Sequence, residues 1–455
     1  MMRKRSASTA TYLGRTLEYD PNPYDIPVTC YLERPSGQRK KKLNQYLREE
    51  RVGKGRHGEV YLSHDTLHEH RAVAIKVVKR SNPKDKIKLL RRNYQQTDGS
   101  TKQALNSTEN SVRREVAVMK QCRHPNLAQL FEVIDDPRED KIYIIMEYIP
   151  GGPVEWTHGE DHLPLLTLAQ TRRIMRDVIV GLEYMHAKGI VHRDIKPSNL
   201  VYTANRSCVK LIDFGISHIM LPPAPKKEKD DPVDPELRAL FPVTDLTRRI
   251  GTPSFLAPEV VWFHDDSDNT STVSPCDSPP GGSRSASSAN VSTTFPIPKV
   301  RPPITPAIDV WSLGVTFFCL LFGHTPFNPS SDNDNVHHNE FMLYHLICTQ
   351  DWLPDDYMGA DRLWTGGRHP QDQSSEAYAV LHLLDEMLQK APKDRIPLSQ
   401  VKRNPFILQD VLDPKEWLRY TTPLAASPEN LSGFIKSAAR KFVNVLSPKT
   451  KGSGS

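Results

Sequence analysis

Segments with the two-residue period of a strand cluster before Tyr148, and segments with helical period dominate from Thr167 onward. A chain patterned this way must segregate its sheet from its helices. Tyr46–Val52, Glu59–His64, Ala72–Val78, Leu130–Ile134 and Lys141–Tyr148 read as strands, with one helix expected over Val112–Gln121. Leu168–Lys188, Pro306–Phe322, Glu340–Cys348 and Glu376–Lys390 read as the main helices. The fold class is therefore α+β: a small β-rich lobe followed by a large helical lobe.

The 38 prolines fall mostly outside these periodic segments. They mark stretches too polar and irregular to bury a core. Residues 1–43 read as a disordered N-terminal segment, and 44–410 as the folded domain with inserts near 81–111, 221–245 and 264–303. Residues 411–455 read as a tail. A net charge of +6 over 455 residues makes no case for nucleic acid or a membrane surface. The most apolar run, Val310–Gly323, is too short to span a bilayer and reads as a core helix. Six widely spaced cysteines form no C-x-x-C pair, which suits reduced thiols and a cytoplasmic setting with nuclear access.

Chemistry concentrates in a few ordered motifs. Gly53, Gly55 and Gly58, followed by Val60, lie between two strands, where glycines let backbone N–H groups approach phosphate oxygens. A strand follows this loop, and a dinucleotide site would require a helix. Lys76 stands among apolar strand neighbours in Val73-Ala74-Ile75-Lys76, and Glu115 on the next helix is its candidate partner. In His192-Arg193-Asp194-Ile195-Lys196-Pro197-Ser198-Asn199, Asp194 can orient a hydroxyl and Lys196 can neutralise a transferring phosphoryl. Asn199 and Asp213, the latter opening Asp213-Phe214-Gly215, supply the hard oxygen ligands that Mg²⁺ prefers.

These motifs, in this order, resemble the eukaryotic protein kinase family over roughly Leu47 to Phe406. The resemblance implies a bilobal protein kinase fold that uses ATP and Mg²⁺. It implies catalytic roles for Asp194, Lys196, Lys76 and Glu115, and metal ligation by Asn199 and Asp213. Nucleotide binding would fall to Gly53, Gly55, Gly58, Val60, Ala74, Lys76, Glu147, Ile149 and Val201, with Met146 as gatekeeper. Met119, Leu130, Phe214 and His192 would stack as a spine anchored by Asp309, and Glu259 would pair with Arg395. Lys196 and Thr252 resemble the serine/threonine branch.

Leu43-Asn44-Gln45-Tyr46, Phe131–Pro137 and Gly152-Pro153-Val154 resemble the calcium/calmodulin-dependent protein kinase kinases. They also resemble the fungal upstream kinases of the AMP-activated protein kinase. The resemblance implies a protein substrate that is itself a kinase, phosphorylated on its activation-loop threonine. Pro153 and Ser198 stand where arginine-selecting kinases carry acids, and neither can form a charge-assisted pair with arginine. The alternatives are a kinase acting on cytoskeletal or cell-cycle proteins, or a scaffold with incidental activity. Arg193 suggests a phosphate on the activation segment, with Thr247 and Thr244 as candidate acceptors. Asn430–Leu446 carries a basic amphipathic pattern fitting a calmodulin target, as the resemblance implies, or a helix docked on the kinase lobe or on a membrane surface.

Overall fold

A seven-stranded sheet forms where the strand periodicity lies. The computed structural model describes residues 10–12, 15–17, 26–33, 42–55, 58–80, 108–159, 162–223, 233–263, 295, 297–329 and 336–423. They divide into two units: Met1–Glu155, Arg172–Arg248 and Leu398–Ser455 in one, Trp156–Thr171 and Arg249–Pro397 in the other.

In the first unit the strands are β1 (Val28–Thr29), β2 (Lys42–Leu43), β3 (Tyr46–Gly55), β4 (Gly58–Asp65), β5 (Arg71–Lys79), β6 (Leu130–Ile134) and β7 (Lys141–Glu147). Their order is β1-β6-β7-β5-β4-β3-β2. All pairings are antiparallel except β1 on β6. Leu43, Tyr46, Val73, Ile75, Ile134, Tyr143 and Ile145 close one hydrophobic cluster. All but Leu43 are β-branched or aromatic, the types that fit a pleated, half-buried surface.

Within residues 1–43, expected to be disordered, β1 and a backbone hairpin of Ala10–Tyr12 with Arg15–Leu17 are ordered, while 1–9, 13–14, 18–25 and 34–41 lie outside the described residues. Ile26 is buried, Val133 N–H donates to Pro27 O at 3.1 Å, and Asp135 N–H donates to Thr29 O at 2.8 Å. Thr29 Oγ1 donates to the buried Glu132 carboxylate, which also accepts from Tyr46 Oη at 2.6 Å and Gln45 Nε2 at 3.0 Å. Burial, and then the Glu132 carboxylate, push the Tyr46 phenol far above its ordinary range. The partners of β1 lie about a hundred residues downstream, so local composition carries no sign of them.

Helix α1 (Thr108–Met119) buries Val112, Glu115, Val116 and Met119, the i, i+3, i+4, i+7 stripe of a helix lying on a sheet. It begins inside the expected 81–111 insert, of which 81–107 lie outside the described residues. α2 (Leu168–Ala187) buries Ile174, Met175, Val178, Ile179, Leu182 and Met185. Of the expected 221–245 insert, residues 224–232 lie outside the described residues. α3 (Pro235–Leu240) forms within it, capped by Asp234 accepting from Glu236 N–H at 2.7 Å, because Val233, Leu237 and Phe241 are buried.

In the second unit, α4 (Ala307–Phe322) is buried on every side from Ile308 to Phe322, as its unbroken apolar run required. It stops at Gly323, whose φ is +79°, and a Cβ there would lie 2.0 Å from His162 O. α5 (Val336–Thr349) and α6 (Glu376–Met387) follow. No helix of the described residues is long and apolar enough to cross a membrane. The end of the 264–303 insert is pinned, since Arg301 donates to Glu259 O and Val260 O at 2.8 and 2.9 Å. Back in the first unit, α7 (Pro414–Thr421) shows that the tail begins as docked structure. Its buried Trp417 lies under Lys402 Nζ, which donates to Glu183 at 2.6 Å. Residues 430–446, and with them the calmodulin expectation, lie outside the described residues.

Candidate active site

The site is built by two hairpins and one helix of the first unit. β3 and β4 pair from Gly53 opposite Val60 to Gly55 opposite Gly58. Gly58 is needed for a reason the phosphate argument missed: a Cβ there would lie 2.1 Å from Val77 O on the neighbouring strand. β4 then sets Val60 opposite Lys76, and Ala74 is buried on the same strand. Lys76 Nζ donates to both Glu115 carboxylate oxygens, at 2.6 and 2.8 Å, in a buried pair. Burial alone would lower the Lys76 pKa, but the carboxylates of Glu115 and Asp213 outweigh it and raise it. This is the partnership expected from the sequence, and it brings Asp213 into the same field.

A second hairpin, β8 (Leu200–Tyr202) with β9 (Val209–Leu211), positions Asn199 and Asp213, the oxygen ligands expected from the sequence. Asn199 precedes one strand and Ile212 follows the other, so the antiparallel register sets them side by side; Ile212 N–H donates to Asn199 O at 3.0 Å. Asn199 Nδ2 donates to Asp194 O at 2.8 Å and to Asp194 Oδ2 at 3.1 Å. Lys196 Nζ reaches the same Oδ2 at 2.8 Å. With its nitrogen engaged by Asp194, Asn199 offers its amide oxygen as a hard ligand beside Asp213. Among the described residues no group of three His, Cys, Asp or Glu gathers for a metal. Such a two-oxygen set suits Mg²⁺ that draws its remaining ligands from phosphate and water.

Two residues of this site hold strained backbone: Arg193 has φ +73° and Asp213 φ +65°. Non-glycine residues in this region cost on the order of 1–3 kcal/mol each and persist where surroundings over-determine them. Here the surroundings are visible. Asp194 N–H donates to His192 Nδ1 at 3.3 Å, and His192 Nε2 faces Ile212 O at 3.2 Å. The His192 ring meets Phe214 edge-on at 5.6 Å, the contact expected of two spine residues.

The stretch after β7 is stitched to β8, Gly151 N–H donating to Tyr202 O and Tyr202 N–H to Gly152 O at 3.0 and 2.9 Å. Val201 pairs with Pro153 of that stretch and with Lys210 across the hairpin. Glu147 N–H is engaged by Gln129 O at 2.8 Å, and its carboxylate pairs with Lys210 at 2.8 Å. The sequence reading missed Lys210. Its signal was a cation one position off the apolar alternation of β9.

Residues 46–277 and 284–407 match the protein kinase domain. The chain belongs to the protein kinase family. The kinase is 34% identical over 410 residues to the serine/threonine-protein kinase ssp1 of Schizosaccharomyces pombe, covering 90% of this chain and 50% of that one. It is 31% identical over 382 residues to SNF1-activating kinase 1 of Saccharomyces cerevisiae, covering 82% of this chain and 28% of that one. The serine/threonine-protein kinase TOS3 of the same yeast is 31% identical over 364 residues, covering 78% and 52%. The kinase thus spans about half or less of the length of these relatives. The expected resemblance to fungal upstream kinases is shown, and the domain is of the serine/threonine type. In the second unit, the expected Glu259–Arg395 pair is present, bidentate at 2.8 and 3.0 Å and fully buried.

Proposed function

We propose that this kinase transfers the γ-phosphate of Mg-ATP to serine or threonine hydroxyls of proteins, and that its substrate is the activation-loop threonine of an AMP-activated-type kinase. The observation that carries the chemistry is the Asp194 carboxylate, held from one side by Lys196 and Asn199. So fixed, Asp194 orients the acceptor hydroxyl and takes its proton as the new P–O bond forms, while the bond from the γ-phosphorus to the β–γ bridging oxygen breaks and ADP leaves. Lys196 stands beside that hydroxyl to neutralise charge on the phosphoryl group in transit. Lys76, locked by Glu115, holds the α- and β-phosphates, while Val60, Ala74 and Val201 enclose the purine. Glu147 and Ile149 present backbone groups to its edge. Mg²⁺, bound through Asn199 and Asp213, would supply charge neutralisation between the phosphates.

The substrate reading rests on the relatives, one of which is named for activating SNF1. It also rests on Pro153 and Ser198, which give no carboxylate for a substrate arginine. The test is phosphate transfer from labelled Mg-ATP to a catalytically dead AMP-activated-type kinase domain, by the intact chain and by Asp194→Asn. Labelling of the activation-loop threonine, reduced by about 10²–10⁴ in the variant, is expected. Transfer to generic proteins but not to that threonine would overturn the substrate reading alone.

A further inference from the structure

One buried carboxylate outside the reacting groups touches three guanidinium groups from three different elements. Asp245 closes a short 3-10 turn, Val243–Asp245, in the segment between Gly215 and Gly251. Arg114 of α1 reaches its Oδ2 at 3.0 Å and Arg193 of the Asp194 loop approaches the same oxygen at 3.5 Å. Arg248 reaches Oδ1 at 2.9 Å. Arg193 Nη2 also donates to Asp245 O at 3.0 Å and to Arg248 O at 3.4 Å. His218 stands 3.9 Å away but is no fourth cation, since burial and then the charge of Arg193 hold its pKa down at about 3.

The placement of these arginines in the chain gives the cluster its meaning. Arg114 immediately precedes Glu115, the partner of Lys76, and Arg193 immediately precedes Asp194. An anion between them joins the residue that holds the phosphate-binding lysine to the residue that faces the acceptor hydroxyl. Converging guanidinium groups are the usual seat of a phosphate added by modification. The two candidate acceptors are not in that seat. Thr244 and Thr247 are exposed, and Thr247 Oγ1 donates to Thr244 O at 2.9 Å. α3 reinforces the same wall, with Phe241 against the His218 ring at 5.5 Å.

We infer that Asp245 is a positioning residue that takes the place of an activating phosphate, so that the site is assembled from the encoded sequence alone. The inference rests on the kinase reading above. Asp245 bears one charge where a phosphate would bear nearly two, yet it is already buried and already met by three donors. Its carboxyl stays charged: burial pushes its pKa up, but Arg114, Arg248 and Arg193 more than reverse that.

The experiment uses the full chain, treated with a broad-specificity phosphatase, and the dead kinase domain as acceptor. Activity of the untreated chain, lost in Asp194→Asn, first establishes the kinase reading independently. Given that, phosphatase treatment and the double change Thr244→Ala/Thr247→Ala are each expected to leave kcat within about twofold. Asp245→Asn, neutral and of the same shape, is expected to lower kcat by about tenfold or more, with Asp245→Glu recovering part of it. Arg114→Gln provides a second variant should Asp245→Asn fail to fold. It is expected to raise KM for ATP and to speed amide exchange in Thr108–Met119, with exchange in Leu168–Ala187 unchanged. The inference is overturned if phosphatase removes activity and rephosphorylation at Thr244 or Thr247 restores it. It is equally overturned if Asp245→Asn, or failing that Arg114→Gln, matches the unaltered chain in rate and exchange.

Discussion

Replacing Arg395 with methionine tests how the second unit is held together. Arg395 and Glu259 meet in a bidentate pair with neither side chain exposed. The same guanidinium donates to Ala307 O at 2.7 Å, Gln389 O at 3.1 Å and Lys390 O at 3.4 Å. Arg395→Met therefore leaves a buried carboxylate without its counter-charge and three carbonyls short of a donor. Breaking a buried pair from one side costs about 3–5 kcal/mol. The double change Glu259→Leu/Arg395→Met removes the stranded charge and retains only the carbonyl losses, each at most about 1–3 kcal/mol. It should be more stable than Arg395→Met alone. Urea unfolding followed by tryptophan fluorescence suits the measurement, because Trp311 lies 5.2 Å from the guanidinium. With a slope of about 3 kcal/mol/M, the single change should move the midpoint down by about 1 M or more. Strict additivity of the two single costs within about 0.5 kcal/mol would refute the reasoning, since it would mean the pair carries no coupling.

Three further outcomes are expected. Removing residues 1–33 strips β1 from β6 and leaves the N–H groups of Val133 and Asp135 without their carbonyls. A fall in melting temperature of several degrees, on the order of 2–4 °C per kcal/mol, should show in calorimetry. Gly58→Ala drives a methyl into Val77 O, so the β4–β5 edge must part; KM for ATP should rise while Asp194-dependent chemistry on bound nucleotide persists. Stability should also fall in mild acid. His124, held at about 4 by burial and nearby lysines, and His218, held at about 3, are neutral when folded but take up protons near their ordinary value of 6.5 when unfolded. Their contribution is whole above that ordinary value and is lost as pH drops from there through the folded values. His124 alone accounts for about 3 kcal/mol at the limit. A denaturation midpoint that is flat between pH 6.5 and 4 would contradict this.

What the sequence determined by itself is whatever local chemistry requires. The alternation in Arg71–Lys79 and the apolar run of Ala307–Phe322 dictated a strand and a buried helix. Lys76, Asp194, Lys196, Asn199 and Asp213, the residues proposed to face phosphate and hydroxyl, were legible because few side chains can do that work, and their order along the chain pointed to the family. Tertiary structure alone decided the rest. β1 is a strand because β6 offers it an edge, a pairing invisible in a short proline-flanked segment. α3 orders within a segment that reads as a loop because three apolar residues there find a wall. Gly58 is glycine because the Val77 carbonyl on the neighbouring strand leaves no room for a Cβ. Asp245 is one acid among many in sequence. It acquires a role only when Arg114, Arg193 and Arg248, separated by up to 134 positions in the chain, are folded around it. Long-range electrostatics is a property of distance in space, and no local pattern encodes it.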